Sequence, residues 1–264
     1  MKDLNGKVAV VTGAGSGIGR GLCRAFAAGG MRVVAADVDL AAAEGTRELV
    51  REHGGEARAV HTDVADRRSV EELAARVVAE LGAVHLVCNN AGVFTGGPLL
   101  EMTEGDWRWL LSVNLMGVVH GCQVFAPRLA AQGDGHIVNT ASVGGFLASD
   151  VMTIYCVTKY GVVALSEALR QALETKGVGV SVLCPGPVET GLPAADRLRP
   201  VELGPSGGTS AMLAPMTAGG LDPVEVGEMV IRGVRDNAEY IFTHGMFRDV
   251  IAQRFDRVLA AFDR

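Results

Sequence analysis

Tyr155 and Lys159 stand four residues apart, and Ser142 lies shortly before them. A phenol can give a proton to a carbonyl oxygen or take one from an alcohol. Alone it titrates near ~10, too high for a base near neutrality. A neighbouring ammonium favours the phenolate, so Lys159 is the expected remedy. At i, i+4 the two side chains share one face of a helix. A serine hydroxyl at a separate strand end can hold the same substrate oxygen and stabilise charge building on it. Isolated Tyr-xxx-Lys pairs are common on helices, so this one gains weight only from the rest of the chain.

The first half supplies that weight. An apolar run feeds Thr12-Gly13-Ala14-Gly15-Ser16-Gly17-Ile18-Gly19. Gly13, Gly17 and Gly19 allow a tight turn and close approach of a pyrophosphate. The following helix offers free N–H groups and the positive end of its dipole, with Ser16 and Ile18 at its start. The GxxxGxG spacing differs from GxGxxG, and no lysine of a nucleotide-triphosphate loop is present. Asp37 ends the next strand, 18 residues after Gly19. Its carboxylate can accept both hydroxyls of an adenosine ribose and would repel a 2′-phosphate. Neither Ser16 nor Val38 offers a compensating cation, so NAD is expected over NADP. Asp39 reads as a helix initiator.

Two further strand ends belong to the same region. Asp63-Val64 follows the third strand; Asp63 either faces an adenine amino group or caps the next helix. Asn89-Asn90-Ala91-Gly92 follows the fourth, where Asn90 ties the turn while Ala91 and Gly92 leave room for a flat cofactor. Asn114 sits within an apolar helical pattern, and a buried amide needs partners. It either holds a water beside Lys159 or is a satisfied core amide.

These residues must be positioned by alternating elements. Strands are expected at 7–11, 31–36, 56–61, 84–88, 136–140, 178–183 and 240–243. Helices are expected at 18–28, 40–52, 67–81, 107–126, 153–174, 224–234 and 247–262. Such alternation with short joints predicts an α/β protein with a mostly parallel sheet covered on both faces. Pro185-Gly186-Pro187 stops regular structure. Residues 189–220 are rich in Gly, Pro, Ser and Thr, and they follow a strand's carboxyl end, where such sheets bind ligands. They read as a substrate lid; the alternative is a disordered surface insertion.

Composition narrows the field. The 264 residues carry 24 basic and 30 acidic side chains, net -6, with no dense Lys/Arg block, so no nucleic-acid footprint is expected. Length and a 48% hydrophobic content suit one domain over 1–264. The five cysteines form no CxxC pair and read as buried thiols in a reducing compartment. His61 and Asp63 alternate without a third ligand, so no metal is expected. Without a signal pattern or a long uninterrupted apolar run, a cytoplasmic protein with no membrane span is expected.

Taken in order, several motifs together resemble the short-chain dehydrogenase/reductase family over about residues 5–245. They are Thr12-Gly13-x3-Gly17-Ile18-Gly19, Asp37, Asp63-Val64, Asn89-Asn90-Ala91-Gly92, Asn114, Ser142, Tyr155-x3-Lys159 and Pro185-Gly186-Pro187-Val188-x-Thr190. The resemblance implies a single Rossmann-type, doubly wound sheet of about seven strands. It implies a catalytic set of Asn114, Ser142, Tyr155 and Lys159, with Tyr155 transferring the proton. It places Pro185 and Gly186 beside the cofactor, Val188 at the nicotinamide carboxamide, and Thr190 at the carboxamide or pyrophosphate. It also implies homodimers or homotetramers built on the helices near 107–126 and 153–174. Gly161, Val162, Ala164, Leu165 and Ala168 would suit such packing. Thr158 to Glu167, Val182 to Val188 and Thr243-His244-Gly245 look like a branch that includes bacterial aryl-ether Cα-dehydrogenases, which oxidise benzylic alcohols.

The flanks of the chemical residues are apolar: Val93-Phe94, Gly144 to Leu147, Val151-Met152, Met212-Leu213 and Met216. No arginine or lysine lies between Ser142 and Tyr155, although Arg197 and Arg199 in the lid could meet a carboxylate. The reading is an NAD-dependent oxidoreductase for a hydrophobic or aromatic secondary alcohol and its ketone. The alternatives are a reductase of a sugar, steroid or fatty-acid-derived ketone, and a dinucleotide sensor without catalysis.

Overall fold

Every residue of β1 (Val8–Thr12) is buried, as a strand covered on both faces requires. β1 pairs in parallel with β2 (Arg32–Asp37) on one side and β4 (Leu86–Asn89) on the other. β3 (Glu56–His61) lies beyond β2. β5 (Gly135–Thr140), β6 (Val178–Cys184) and β7 (Tyr240–Phe242) extend the sheet beyond β4. The result is one seven-stranded parallel sheet in the order β3-β2-β1-β4-β5-β6-β7. The winding reverses between β1 and β4, which opens a crevice at the carboxyl ends of the strands. This is a doubly wound Rossmann fold, described for residues 1–263 by a computed structural model.

Alternation along the strands divides the core into two layers. Val10, Val34, Val87, Ile137 and Val180 face α3 (Arg67–Leu81), α5 (Gly117–Gln132) and α6 (Thr153–Leu173). Ala9, Val11, Val33, Leu86 and Val138 face α1 (Gly17–Ala28), α2 (Leu40–Glu52) and α8 (Pro223–Asp236). The α1 side chains Leu22 and Phe26 are fully buried, contributing about 1.5–3 kcal/mol each.

The helix expected at 107–126 is longer and is not uniform. It begins as α4 (Glu104–Leu110), loosens into a π-helical segment at Leu111–Met116, and continues as α5. The early start comes from a capping box between Thr103 and Asp106. The late end passes through Pro127 and stops at Gly133, which is left-handed with φ 71°. Burial of Val124, Phe125 and Leu129 against the sheet holds the helix together past the proline. By length and composition, Glu104–Gln132 could cross a bilayer (mean hydropathy 1.4); here 56% of its apolar window is buried inside the fold.

Other boundaries move by one to three residues. β4 starts at Leu86 rather than 84, and the final helix, α9, is Arg248–Leu259. Residues 189–220 are not featureless. They form 3-10 turns at Leu192–Leu198, Val201–Leu203 and Ser210–Leu213 and the one-turn helix α7 (Ala214–Thr217). On α6, Val162 is in the core rather than on the outer face, while Ala164 and Ala168 are exposed.

Candidate active site

A cleft of about 300 Å³ lies over the carboxyl ends of the central strands. Gly13, Ser16, Gly17, Ile18 and Gly19 form one wall. The turn cannot tolerate side chains: a Cβ on Gly13 would sit 2.7 Å from Ala91 Cα, and one on Gly19 would sit 2.0 Å from the Gly13 carbonyl oxygen. Gly17 has φ +48° and faces Thr190. Ser16 is the N-cap of α1 but its side chain makes no capping bond. The first N–H groups of α1 are therefore available to an anion, which fits a pyrophosphate.

Asp37 stands at the far end. Its Oδ2 accepts the Gly15 N–H at 2.7 Å, and its Oδ1 accepts the Asp39 N–H at 2.9 Å. These bonds fix the carboxylate at the cleft and leave lone pairs for hydroxyl donors. Asp39 is the N-cap of α2, accepting from Ala42 N at 3.1 Å, as expected. The fold also brings a cation that linear spacing did not reveal. Arg197 lines this end and lies 3.9 Å from Asp39.

Asp63, Val64, Asn90, Ala91 and Gly92 line the floor. Asp63 does not cap α3: Asp66 does, accepting from Arg68 N, while Asp63 Oδ1 accepts the Ala65 N–H at 2.9 Å. Val64 is held through its carbonyl by His120 at 2.9 Å. Thr12 was missed by sequence reasoning as a site residue. Its hydroxyl accepts the N–H groups of Asn90 (3.0 Å) and Ala91 (3.1 Å), while Asn90 Nδ2 donates to the Thr12 carbonyl at 3.0 Å. Thr140 donates to Asn90 Oδ1 at 3.2 Å. The ends of β1, β4 and β5 are thus stapled together. A hydroxyl closing an otherwise apolar strand was the available signal.

Ser142, Tyr155 and Lys159 meet at the inner end, with Pro185, Gly186, Val188 and Thr190 beside them. Ser142 follows β5; its Oγ accepts the Gly144 N–H at 3.1 Å and donates to the Pro185 carbonyl at 3.4 Å. Tyr155 and Lys159 project from α6. Phe94 packs edge-on to the Tyr155 ring, centroids 5.2 Å apart. Burial pushes the Tyr155 phenol up to about 12, partly opposed by its hydrogen bond with Ser142. Burial pulls Lys159 down to about 8. The expected lowering of the phenol by Lys159 is therefore overridden here. Desolvation penalises both charged forms, and Lys159 Nζ gives its hydrogen bond to the Thr140 carbonyl at 2.9 Å. At neutral pH the phenol is therefore uncharged.

Asn114 does not line the cleft. It lies in the π-helical segment, fully buried. Its Oδ1 accepts the Val93 N–H at 2.8 Å, and its Nδ2 donates to the Val93 carbonyl at 2.9 Å and approaches Thr158 Oγ1 at 3.4 Å. It is a satisfied core amide that fixes the loop after β4. A Cβ on Gly92 would lie 3.5 Å from Asn114 Oδ1 and 3.7 Å from Lys159 Nζ, so the amide borders the lysine.

Beyond Tyr155 the cleft is lined by Val93, Trp109, Val113, Leu192, Ala195 and Leu198, with Ser112 as a neutral polar group. Of the apolar flanks expected there, Val93 is in place; Phe94 and Phe146 are core, and Met216 is half exposed. Trp109 and Val113 lay inside a helix pattern and gave no separate signal. Arg199 is not free to meet a carboxylate. It is buried against Asp106 at 2.8 Å and stacks over Trp109 at 5.5 Å. Among the described residues lining the cleft, the cations are Lys159 and Arg197. No three His, Cys, Asp or Glu side chains among the described residues cluster to hold a metal.

Residues 7–199 match the family model described as short chain dehydrogenase. The chain is 36% identical to a C alpha-dehydrogenase of Sphingobium sp. (strain NBRC 103272 / SYK-6), over 98% of this chain and 87% of that one. It superposes with TM-score 0.94 and 39% identity on a short-chain dehydrogenase/reductase from Burkholderia phymatum solved in complex with NAD, covering 99% and 97% of the two chains. A metagenomic short-chain oxidoreductase solved with NADP gives TM-score 0.74 at 26% identity, covering 92% and 97%.

Proposed function

This chain belongs to the short-chain dehydrogenase family, and we propose that it is an NAD-dependent oxidoreductase interconverting a hydrophobic or aromatic secondary alcohol and its ketone. One observation carries the reading. Ser142, Tyr155 and Lys159 converge at one end of a cleft whose other end combines an uncapped helix N-terminus with the carboxylate of Asp37.

When bound, the nicotinamide dinucleotide accepts or supplies the hydride at the carbinol carbon. In this reading Gly13 to Gly19 and the N-terminus of α1 hold the pyrophosphate, and Asp37 accepts the ribose hydroxyls. Asp63, Val64, Asn90, Ala91 and Gly92 bound the adenine-to-ribose path, and Pro185, Gly186, Val188 and Thr190 hold the carboxamide end. Tyr155 gives its proton to the ketone oxygen during reduction and takes it back during oxidation. Ser142 donates a hydrogen bond to that oxygen. Lys159 places a positive charge beside the phenol and holds a ribose hydroxyl. Asn114 positions Lys159's surroundings through Val93. Residues 189–220 form the lid, and copies pair through α5 and α6 as a dimer or tetramer.

What faces the pocket beyond Tyr155 supports this substrate class. That end is aliphatic and aromatic, and Arg199 is neutralised by Asp106. An anionic substrate would lose its water without gaining a counter-charge there. The resemblance of Thr158 to Glu167 and Val182 to Val188 to the aryl-ether branch, with the likeness to a C alpha-dehydrogenase, supports an aryl carbinol. NAD is favoured by Asp37 and by the NAD complex of the Burkholderia relative.

A panel of secondary alcohols and ketones, with NAD and NADP compared by absorbance of the reduced cofactor, tests the proposal. NAD-linked turnover of aryl carbinols is expected. Strict use of NADP, or a preference for carboxylate-bearing alcohols, would count against it.

A further inference from the structure

We infer that Asp106 is a positioning residue for the substrate end of the cleft, its carboxylate clamping lid residues Arg199, Ser206 and Gly207 onto the start of α4. The inference rests on the reading of that end as the substrate site.

Asp106 has 0% of its surface exposed. Two of its partners are local: the Thr103 N–H at 2.8 Å and the Thr103 hydroxyl at 2.9 Å. A helix cap needs no more than these. Three further partners come from the lid, far away in sequence. Ser206 Oγ donates to Oδ1 at 2.7 Å, Gly207 N donates to Oδ2 at 3.0 Å, and Arg199 Nη1 lies 2.8 Å from Oδ1. Arg199 also donates through Nε to the Gly204 carbonyl at 3.0 Å. Nearby, Gly96 and Thr209 exchange two backbone hydrogen bonds, at 2.9 and 3.3 Å.

The clamp bears on the cleft through Trp109, one turn along α4 from Asp106. Trp109 lines the pocket on one side and receives the Arg199 guanidinium on the other. Ala195, Leu192 and Leu198 pack into the same apolar cluster. Removing the carboxylate charge leaves Arg199 buried without a counter-ion, so the segment must lift or the arginine must leave Trp109. Either change enlarges or disorders the wall that faces the substrate, and it reaches the Asp37 end only through the exposed Arg197–Asp39 pair at 3.9 Å. Burial alone would raise the Asp106 pKa, yet the bonds from Ser206, Thr103 and Gly207 hold it below the usual carboxylate range. The clamp is therefore charged at neutral pH.

Four variants of the full chain separate a clamp from a cap: Asp106→Asn, Ser206→Ala, Arg199→Lys and Thr103→Ala. Each is measured for oxidation of 1-phenylethanol with NAD, for NADH binding by fluorescence, and for tryptic cleavage after Arg197. Asp106→Asn and Ser206→Ala should raise KM for the alcohol by about tenfold, with kcat and NADH affinity changed by less than about twofold and with faster cleavage. Arg199→Lys, which keeps the charge, should retain most of the wild-type KM. Thr103→Ala should lower Tm only. Wild-type KM and cleavage in both Asp106→Asn and Ser206→Ala would overturn the clamp, as would equal effects from Thr103→Ala. If the wild type leaves 1-phenylethanol untouched, the functional reading fails, while the cleavage comparison still decides the clamp.

Discussion

Lys159 Nζ lies 5.5 Å from the centre of the Tyr155 ring, yet its hydrogen bond goes to the Thr140 carbonyl at 2.9 Å. The ammonium is thus anchored by the end of β5 and lies beside the Tyr155 ring. Burial sets the resting charges: Tyr155 is raised to about 12 and Lys159 lowered to about 8.

That arrangement gives ketone reduction a defined pH dependence. In the proposed mechanism, reduction needs a protonated Tyr155 and a charged Lys159. The rate should be flat near neutrality and fall as pH rises through about 8, where Lys159 loses its proton. Arginine at this position keeps its charge at higher pH, so Lys159→Arg should move the alkaline limb upward in whatever activity it retains. An unmoved limb would assign the titration to another group.

Asp37→Ser should relax the choice of cofactor. The variant removes the carboxylate that faces the adenosine end but leaves Arg197 close by. The ratio of kcat/KM with NAD to that with NADP should fall by at least about tenfold, or ~1.4 kcal/mol. An unchanged ratio would mean that Asp37 serves only to orient Gly15 and Asp39.

Asn114→Ala should destabilise the fold as well as the site. The amide satisfies both backbone groups of Val93, and leaving each unpaired costs about 1–3 kcal/mol. Thermal denaturation should show a clear drop in Tm, and turnover should fall further than the loss of folded protein explains. Wild-type activity in the folded fraction would limit Asn114 to a structural amide.

Much of this was legible in the chain. The strand–helix alternation led to the seven-stranded sheet because both signals are local. Tyr155 and Lys159 share a helix face, so their meeting needed no tertiary knowledge. Of the two readings of Asp63, the helix cap falls away because Asp63 and Asp66 offer similar chemistry within one turn, and only the backbone path chose Asp66. Thr12, Arg197 and Asp106 could not be read in the same way. Their partners lie 78, 158 and 100 residues away, so their roles emerge only when the sheet and residues 189–220 are assembled. The long helix was underestimated because Pro127 reads as a stop, whereas tertiary burial outweighs its cost.

His136 predicts how the fold responds to acid. Burial pulls its pKa down to about 3, and Nε2 pairs with Ser181 Oγ at 2.8 Å. The unfolded chain protonates it near ~6.5 while the folded one does not. Its contribution to stability is therefore present above ~6.5 and is lost as pH falls from there toward about 3, by ~1.4 kcal/mol per pH unit. Urea midpoints at neutral and mildly acidic pH should show this loss, and His136→Gln should flatten it. An equally steep loss in the variant would assign acid sensitivity elsewhere.

The most direct test of the central claim is Tyr155→Phe, measured in parallel for NADH binding and for NAD-linked oxidation of aryl carbinols. The phenyl ring keeps the packing against Phe94 and removes the exchangeable proton. NADH affinity should stay near wild type while turnover falls by about 10²- to 10⁴-fold. Turnover at the wild-type level would contradict the assignment of Tyr155 as the residue that moves the proton.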